Sequence, residues 1–239
     1  MSSKSPLICF NWKMNPATSS ESIELIKTYQ KYNQNKENII IFPPTIFLPE
    51  LSQIDFILGG QDISAFSEGA YTGQISGQML SNFGCKYVLA GHSEVRKHNS
   101  VSNGTVHQKV HRAWENNLTP ILCISYTKPE NTHHQLKEAI EVIFHGKDQI
   151  KGDIILAFEP LAAIGSGIAM ETVRINHYIN FIKTVMLEKG YPDVKVLYGG
   201  SVSSSNILEL SKINNLDGFL LGKASLDFVE IEKILSLEF

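Results

Sequence analysis

Residues 154–199 read IILAFEPLAAIGSGIAMETVRINHYINFIKTVMLEKGYPDVKVLYG and contain one complete strand–helix–strand unit. The runs Ile154–Glu159 and Lys195–Gly199 are almost continuously apolar, as expected of strands that are buried on both faces. Between them, Glu171–Glu188 repeats apolar residues every three to four positions, which is typical of an amphipathic helix. This stretch therefore predicts a parallel sheet with helices packed against it.

Six similar runs in the rest of the chain bring the number of predicted strands to eight. These are Leu7–Asn11, Ile39–Pro43, Ile57–Gln61, Tyr87–Gly91, Pro120–Ile124 and Gly218–Gly222. Helix-like stretches separate most of them, including Ser20–Tyr32, where Thr18 and Glu21 form a capping-box pattern. Shorter candidate helices are Ser205–Lys212 and Phe228–Leu237. Eight strand–helix alternations in 239 residues predict a closed (β/α)8 barrel that forms one domain over residues 1–239.

An open doubly wound sheet is the alternative architecture for such an alternating chain. It would be expected to carry a GxGxxG motif after the first strand. The sequence Asn11-Trp12-Lys13-Met14-Asn15 follows that strand instead. No stretch rich in Pro, Ser or Gly divides the chain, which favours the single barrel.

The charge and the cysteine content exclude several classes of function. The 21 basic and 24 acidic residues give a net charge of −3, which argues against a general affinity for nucleic acids or membrane surfaces. Cys9, Cys85 and Cys123 form no CxxC pair, so we expect neither a disulfide framework nor a zinc knuckle. This cysteine usage and the absence of a visible secretory signal predict a cytoplasmic location.

In a barrel, functional groups are expected at the carboxyl ends of the strands. Glu159 ends the sixth strand, where partial desolvation would raise its basicity and suit it to proton abstraction. His92 follows the fourth strand, where a predicted helix start disfavours a charged imidazolium and a neutral ring can donate a hydrogen bond. Lys13 follows the first strand and would place a positive charge at the barrel mouth. A capping histidine and a solvated rim lysine are the alternatives at those two positions.

Glycine-containing loops follow the last three strands. Pro160–Gly167 is composed of small residues that suit a mobile lid, and Gly165 can offer a backbone N–H to an anion. Tyr198–Ser201 and Gly222–Ser225 follow the seventh and eighth strands, where barrels often bind phosphate on backbone N–H groups. Together, opposite a lysine and a glutamate, these loops predict a phosphate site, although a static glycine-rich connection remains the alternative for the first of them.

The other histidines carry a weaker signal. His107 and His111 are four residues apart, and His133 and His134 lie in a polar stretch, but no HExxH motif is present. We expect these four to be surface histidines, and the sequence indicates no metal site.

Taken together, these segments resemble the triosephosphate isomerase family. The matching runs follow the family's order through nearly the whole chain: Asn11–Asn15, Gly69–Gly73, Ala90–Glu94, Glu159-Pro160 with Ala163–Gly167, Tyr198–Val202, and Gly218–Gly222. The resemblance implies a glycolytic and gluconeogenic isomerase that interconverts dihydroxyacetone phosphate and D-glyceraldehyde 3-phosphate through an enediolate. It implies no cofactor, because the carbonyl of the substrate itself acidifies the proton that moves.

The resemblance also implies a role for each catalytic residue, and these roles are the known ones of the family rather than ones worked out from this sequence. Glu159 would be the base that moves a proton between adjacent carbons. A neutral His92 would polarise the carbonyl, and Lys13 would stabilise the developing negative charge. Asn11 and Glu94 would orient this set.

Substrate binding and lid closure are implied in the same way. The residues expected to bind the substrate are Asn11, Lys13, Gly165, Ser201, Gly222 and Lys223. Those expected to form the lid and its closure are Pro160, Ile164, Ser166 and Tyr198, with Ser201 helping Tyr198 to hold the closed lid. Closure would exclude water from the enediolate.

The resemblance implies a homodimer in which Thr72 of one subunit reaches the active site of the other. Gln74 and Val95 stand where the family usually has a Glu and an Arg that tend to pair across this interface, so their joint replacement is internally consistent. Other departures are Ala162 for a usual Trp at the lid hinge, Ile168 for a Lys after the lid, Lys223 for a Gly in the last phosphate loop, and Ser125-Tyr126 for a Gly-Glu pair.

Two other functions remain open on the residues alone. A barrel enzyme acting on a larger sugar phosphate would be expected to have a different acid–base set. A non-catalytic protein that kept the fold would be expected to have lost Lys13, His92 or Glu159, and all three are present.

Overall fold

The computed structural model describes residues 5–32, 36–127, 129–144, 152–163, 165 and 167–239. Eight parallel strands form a closed barrel in which each strand pairs with the next, and the first also pairs with the last. The strands are β1 Leu7–Asn11, β2 Ile39–Phe42, β3 Ile57–Gly60, β4 Tyr87–Ala90, β5 Thr119–Tyr126, β6 Ile155–Pro160, β7 Lys195–Tyr198 and β8 Gly218–Leu221. This confirms the predicted (β/α)8 barrel and excludes the open sheet, because a closed barrel has no free strand edge.

Helices lie between the strands along the chain, and one more follows β8. They are α1 Ser19–Tyr32, α2 Leu48–Leu51, α3 Gly77–Asn82, α4 Ser93–Asn99, α5 Asn103–Glu115, α6 Thr132–Ile143, α7 Thr172–Glu188, α8 Ile207–Leu210 and α9 Phe228–Leu235. The predicted capping box is formed at α1, where the Thr18 N–H donates to Glu21 at 3.0 Å and the Glu21 N–H donates to Thr18 at 3.3 Å. The helix predicted over 205–212 covers only Ile207–Leu210, and the Asn206 side chain just before it turns back to accept the Ser203 N–H at 2.9 Å.

The strands bury both of their faces, as their apolar sequences predict. Alternate residues point into the barrel, where Leu7 and Cys9 pack with side chains from the other strands. The residues between them, such as Ile8 and Phe10, pack outward against the helices. All three cysteines are free and buried, and burial raises the pKa of the Cys9 thiol. Within the described ranges, no helix is both long and apolar enough to cross a membrane.

Candidate active site

A buried carboxylate lies at the carboxyl end of β6. Glu159 is 1% exposed, and its Oε1 lies 3.2 Å from Nε2 of His92, which follows β4. The backbone N–H of Ser93 donates to Oε2 at 2.9 Å. Burial raises the pKa of the Glu159 carboxyl, and the opposing effects of His92, the Ser93 N–H and Lys13 offset this only in part. The site therefore holds a carboxylate whose affinity for a proton is increased, as a general base requires.

His92 caps the amino terminus of α4, which begins at Ser93 as predicted. The backbone N–H of Glu94 donates to Nδ1 of His92 at 3.3 Å, so this nitrogen acts as the acceptor. In a neutral ring, the proton is then assigned to Nε2, which faces Glu159. The helix start thus orients an imidazole N–H donor toward the carboxylate.

Lys13 and Asn11 bring β1 into the same cluster. Nζ of Lys13 lies 2.5 Å from Oε1 of Glu94, and the backbone N–H of Lys13 donates to the Asn11 side chain at 3.0 Å. The Asn11 amide nitrogen lies 3.4 Å from Nε2 of His92. The five residues that the family resemblance assigns to catalysis are therefore linked in one network, and Lys13 is an ion-pair partner rather than a solvated rim lysine.

Two further residues hold this network, and neither is among the site residues predicted from the sequence. The Gln61 amide, directly after β3, donates to the backbone carbonyls of Lys13 at 2.7 Å and Phe42 at 2.9 Å. It thereby supports Lys13, whose φ of 55° lies in the left-handed region that a residue with a side chain adopts at a cost. Arg96 donates to the carbonyl of Gly91 at 2.7 Å and so fixes the turn before His92. The position of Gln61 directly after a strand is a signal in the sequence that points to a functional role. Arg96 does not follow a strand, so its sequence position gives no such signal.

Ser201 and Tyr198, which are expected to hold the closed lid, both bond to the segment that follows β6. Oγ of Ser201 donates to the carbonyl of Ala163 at 2.5 Å and accepts the N–H of Gly167 at 3.1 Å. The hydroxyl of Tyr198 accepts the N–H of Met170 at 3.0 Å. These three bonds tie the segment after β6 to the loop after β7.

The structure describes some of the remaining residues in and beside the lid. Pro160 is the last residue of β6, and Ala162 and Ile168 are exposed, the latter at 75%. Ile164 and Ser166 lie outside the described residues. Nothing in the described contacts explains the replacements at Ala162 and Ile168.

The cluster opens into a cavity of about 750 Å³ at the barrel mouth. Its lining brings together the catalytic and the loop residues: Asn11, Lys13, His92, Glu159, Gly165, Ser201, Gly222 and Lys223. A Cβ at Gly222 would lie 3.0 Å from Cε of Lys13 and 3.3 Å from Nζ, so a side chain there would crowd the lysine. The lysine and the glycine loop after β8 therefore border the same space.

Comparison with known proteins identifies the family of this chain. The sequence pattern of the family described as triosephosphate isomerase matches residues 6–238. The chain belongs to the triosephosphate isomerase family. It is accordingly an isomerase.

Relatives with the same description cover almost the whole chain. Triosephosphate isomerase of Wolbachia sp. subsp. Brugia malayi (strain TRS) is 38% identical over 232 residues, which make up 96% of each chain. That of Saccharopolyspora erythraea is 34% identical over 253 residues, covering 98% of this chain and 97% of the relative. That of Shewanella amazonensis is 33% identical over 257 residues, covering 99% and 98%.

The residue that the triosephosphate isomerase resemblance assigns to a dimer contact lies on an exposed loop. Thr72 belongs to the run 66–74 between β3 and α3, all of which is exposed. Within this run, Phe66 and Tyr71 stack with centroids 3.9 Å apart while remaining 45% and 41% exposed.

The histidines outside the active site differ from the expectation in part. His133 and His134 are exposed, as predicted. The prediction of surface positions is wrong for His107 and His111, which are partly buried. His107 packs 4.3 Å from His111, and its Nδ1 donates to the carbonyl of Ile143 at 2.9 Å, which joins α5 to α6.

Proposed function

We propose that this chain interconverts dihydroxyacetone phosphate and D-glyceraldehyde 3-phosphate through an enediolate, as a step of glycolysis and gluconeogenesis. The observation that supports this most strongly is the convergence of Glu159, His92 and Lys13 on one cavity. A carboxylate of raised proton affinity, an imidazole N–H donor and an ammonium group are together suited to proton transfer beside a carbonyl.

The proton transfer follows from the positions of these groups. Glu159 removes a proton from the carbon next to the carbonyl, and the Nε2–H of His92 donates to the carbonyl oxygen as negative charge develops there. The ammonium of Lys13 stabilises the enediolate. Asn11 accepts the backbone N–H of Lys13, and Glu94 pairs with the Lys13 ammonium and donates its backbone N–H to Nδ1 of His92. His92 gives its Nε2 proton to the carbonyl oxygen and takes the proton of the neighbouring hydroxyl. The protonated Glu159 then returns its proton to the carbon that carried the carbonyl, which gives the other isomer. The substrate is neither oxidised nor reduced overall and keeps its phosphate, so we propose no cofactor.

Glu159 needs freedom to turn from the Ser93 N–H toward a substrate. Gly199 provides it, because a Cβ at that position would lie 3.1 Å from Cγ of Glu159. A larger residue there would press on the carboxylate stem. The glycine after β7 thus serves the base as well as the phosphate loop.

Phosphate binding is assigned to the other side of the cavity. We infer that Gly165, Ser201, Gly222 and Lys223 hold the phosphate through backbone N–H groups, with the Lys223 ammonium adding positive charge. Pro160, Ile164 and Ser166 would form the lid over it. The bonds of Tyr198 and Ser201 to the segment after β6 support a closed arrangement that keeps water from the enediolate.

The active protein is proposed to be a cytoplasmic homodimer. The exposed run 66–74 contains the stacked Phe66 and Tyr71, and Met14 beside the active site is 94% exposed. Apolar groups exposed in this way favour a protein interface. Thr72 would reach the second subunit from this loop. Light scattering at micromolar concentration should give the mass of two chains, and a monomer with full activity would overturn the assignment.

The proposed reaction is tested by supplying D-glyceraldehyde 3-phosphate to the purified protein and coupling dihydroxyacetone phosphate to its reduction by NADH. We expect turnover by the wild type and none by Glu159→Gln, which keeps the shape of the side chain but removes the base. In D2O, product should carry solvent deuterium on carbon, as an enediolate requires. Equal rates for the wild type and Glu159→Gln, both at background, would refute the proposal.

A further inference from the structure

Two exposed histidines meet on the outside of the barrel, away from the active-site cavity. His133 lies in the first turn of α6 and His177 lies in α7, and their Nε2 atoms are 2.7 Å apart. The ring centroids are 4.9 Å apart and the ring planes are inclined by 81°. The rings therefore approach each other edge to edge through their nitrogens.

Aromatic neighbours hold this pair in place. Phe181 packs perpendicular to His133 with centroids 4.7 Å apart. Tyr178 lies 5.4 Å from His133 and 5.3 Å from His177. Because the nitrogens share a single hydrogen bond, one ring donates its proton and the other presents a lone pair. The pair thus offers imidazole nitrogen at the surface in an arrangement that its neighbours restrict.

We propose that His133 and His177 form a binding site for a divalent first-row transition metal ion. An imidazole nitrogen lies about 1.1 Å from its ring centre and binds such an ion at about 2.0–2.1 Å, which places the ion about 3.2 Å from each centroid. Two centroids 4.9 Å apart then subtend an angle of about 100° at the ion. This value lies between the square and the tetrahedral angles, so the rings need only tilt, with little change in their separation.

The chemistry of the ligands selects the class of ion. Imidazole suits Cu2+, Ni2+ and Zn2+, whereas Mg2+ and Ca2+ prefer oxygen ligands. Among the described residues, no group of three or more His, Cys, Asp or Glu side chains is arranged around a common metal position. Water therefore completes the coordination. On binding, the donor ring moves its proton from Nε2 to Nδ1, both Nε2 lone pairs coordinate the ion, and two of the ion's waters are released.

Such an ion would link α6 to α7. α7 begins at Thr172, two residues after Met170, whose N–H bonds to Tyr198. Tyr178, next to His177, also packs 5.4 Å from Phe158, the residue before Glu159. The unfolded chain does not bring the two rings together, so the ion should bind only the folded chain. Such binding should raise the melting temperature of the protein.

The experiment is isothermal titration of metal-free wild type with Zn2+ and Ni2+, with Mg2+ as the negative control. We expect one Zn2+ or Ni2+ per chain and a rise in melting temperature with the ion. Loss of a residue that merely hydrogen-bonds to a metal ligand weakens metal binding by about 10–100-fold. Loss of a ligand itself should have at least this effect, so His133→Gln and His177→Gln should each weaken binding by about tenfold or more. His134→Gln is the matched control, because this exposed neighbour should leave binding unchanged.

A second measurement uses the wild type alone and does not depend on how the variants fold. Paramagnetic Ni2+ should broaden the ring signals of His133 and His177 in nuclear magnetic resonance spectra before those of His134. The proposal is overturned if no saturable binding occurs up to 1 mM metal, if both glutamine variants bind as the wild type does, or if His134 broadens first.

Discussion

Replacement of Gln61 by methionine tests how the strained Lys13 is held. The Gln61 amide donates to the carbonyl of Lys13 at 2.7 Å and to that of Phe42 at 2.9 Å, and so ties the ends of β1 and β2 together. Lys13 has a φ of 55°, a left-handed conformation that costs an L-residue about 1–2 kcal/mol. Methionine has nearly the length of glutamine but no N–H donor.

The size of the effect follows from the two bonds lost. Each neutral hydrogen bond contributes about 0.5–1.5 kcal/mol, so their loss removes about 1–3 kcal/mol from the arrangement that positions Lys13. This is of the same order as the strain at Lys13, about 1–2 kcal/mol. Since about 1.4 kcal/mol is a factor of ten, we expect kcat/KM to fall by about 5–140-fold. KM should rise and kcat should fall, because Lys13 borders the cavity and would stabilise the enediolate.

The assay is the coupled isomerase reaction, run beside urea unfolding of the same preparations. Gln78→Met is the matched control, since Gln78 is exposed on α3 and bonds only to Asn82 among the described contacts, at 2.8 Å. Its unfolding free energy should change by less than about 0.5 kcal/mol and its kinetics should not change. If Gln61→Met loses stability but keeps kcat/KM within twofold of the wild type, Gln61 does not position Lys13 for the reaction.

Three further predictions concern the base and the phosphate loop. Glu159→Asp shortens the side chain by about 1.5 Å, so kcat should fall by about 100-fold or more with little change in KM; steady-state kinetics check this, and a wild-type kcat would remove Glu159 from its role. Burial raises the pKa of the Glu159 carboxyl, so the folded state binds its proton more tightly than the unfolded chain, and the contribution of this group to stability falls as pH rises above about 4.3. The stability of Glu159→Gln relative to the wild type should therefore grow from pH 4 to pH 8 in urea unfolding, and a constant difference would contradict this. Lys223→Gly should raise KM for triose phosphate, more strongly at low salt; the same KM as the wild type at every ionic strength would show that the lysine is a passive replacement.

The strands were predictable because burial on both faces leaves continuous apolar runs. Their ends were less predictable, and β5 shows why. The sequence predicted Pro120–Ile124, whereas the strand continues to Tyr126 because Ser125 and Tyr126 pair with Glu159 and Pro160 of β6. Such pairing depends on the neighbouring strand and leaves no signal in the hydrophobicity of β5 itself.

The site was predictable to the extent that its residues are titratable and follow strands. Lys13, His92 and Glu159 satisfy both conditions. Gln61 also follows a strand, but its role depends on the carbonyls of β1 and β2 lying within reach of one amide, which only the barrel geometry determines. The contact of His133 with His177 joins residues 44 positions apart on two helices, and no local pattern predicts it.

The charges around the cavity explain why the replacement at Lys223 should matter. Among the described lining residues, two side chains are basic, Lys13 and Lys223, and three are acidic, Glu159, Asp227 and Glu230. With a neutral His92, the lining therefore carries a net charge of one negative unit. Lys13 is already paired with a carboxylate outside this set, Glu94, at 2.5 Å. The side chains that line the cavity therefore give no net attraction for a phosphate dianion. Binding of the phosphate depends instead on backbone N–H groups and on Lys223. Removing Lys223 would leave two negative charges in excess, which is why the expected rise in KM should be steepest where salt screens least.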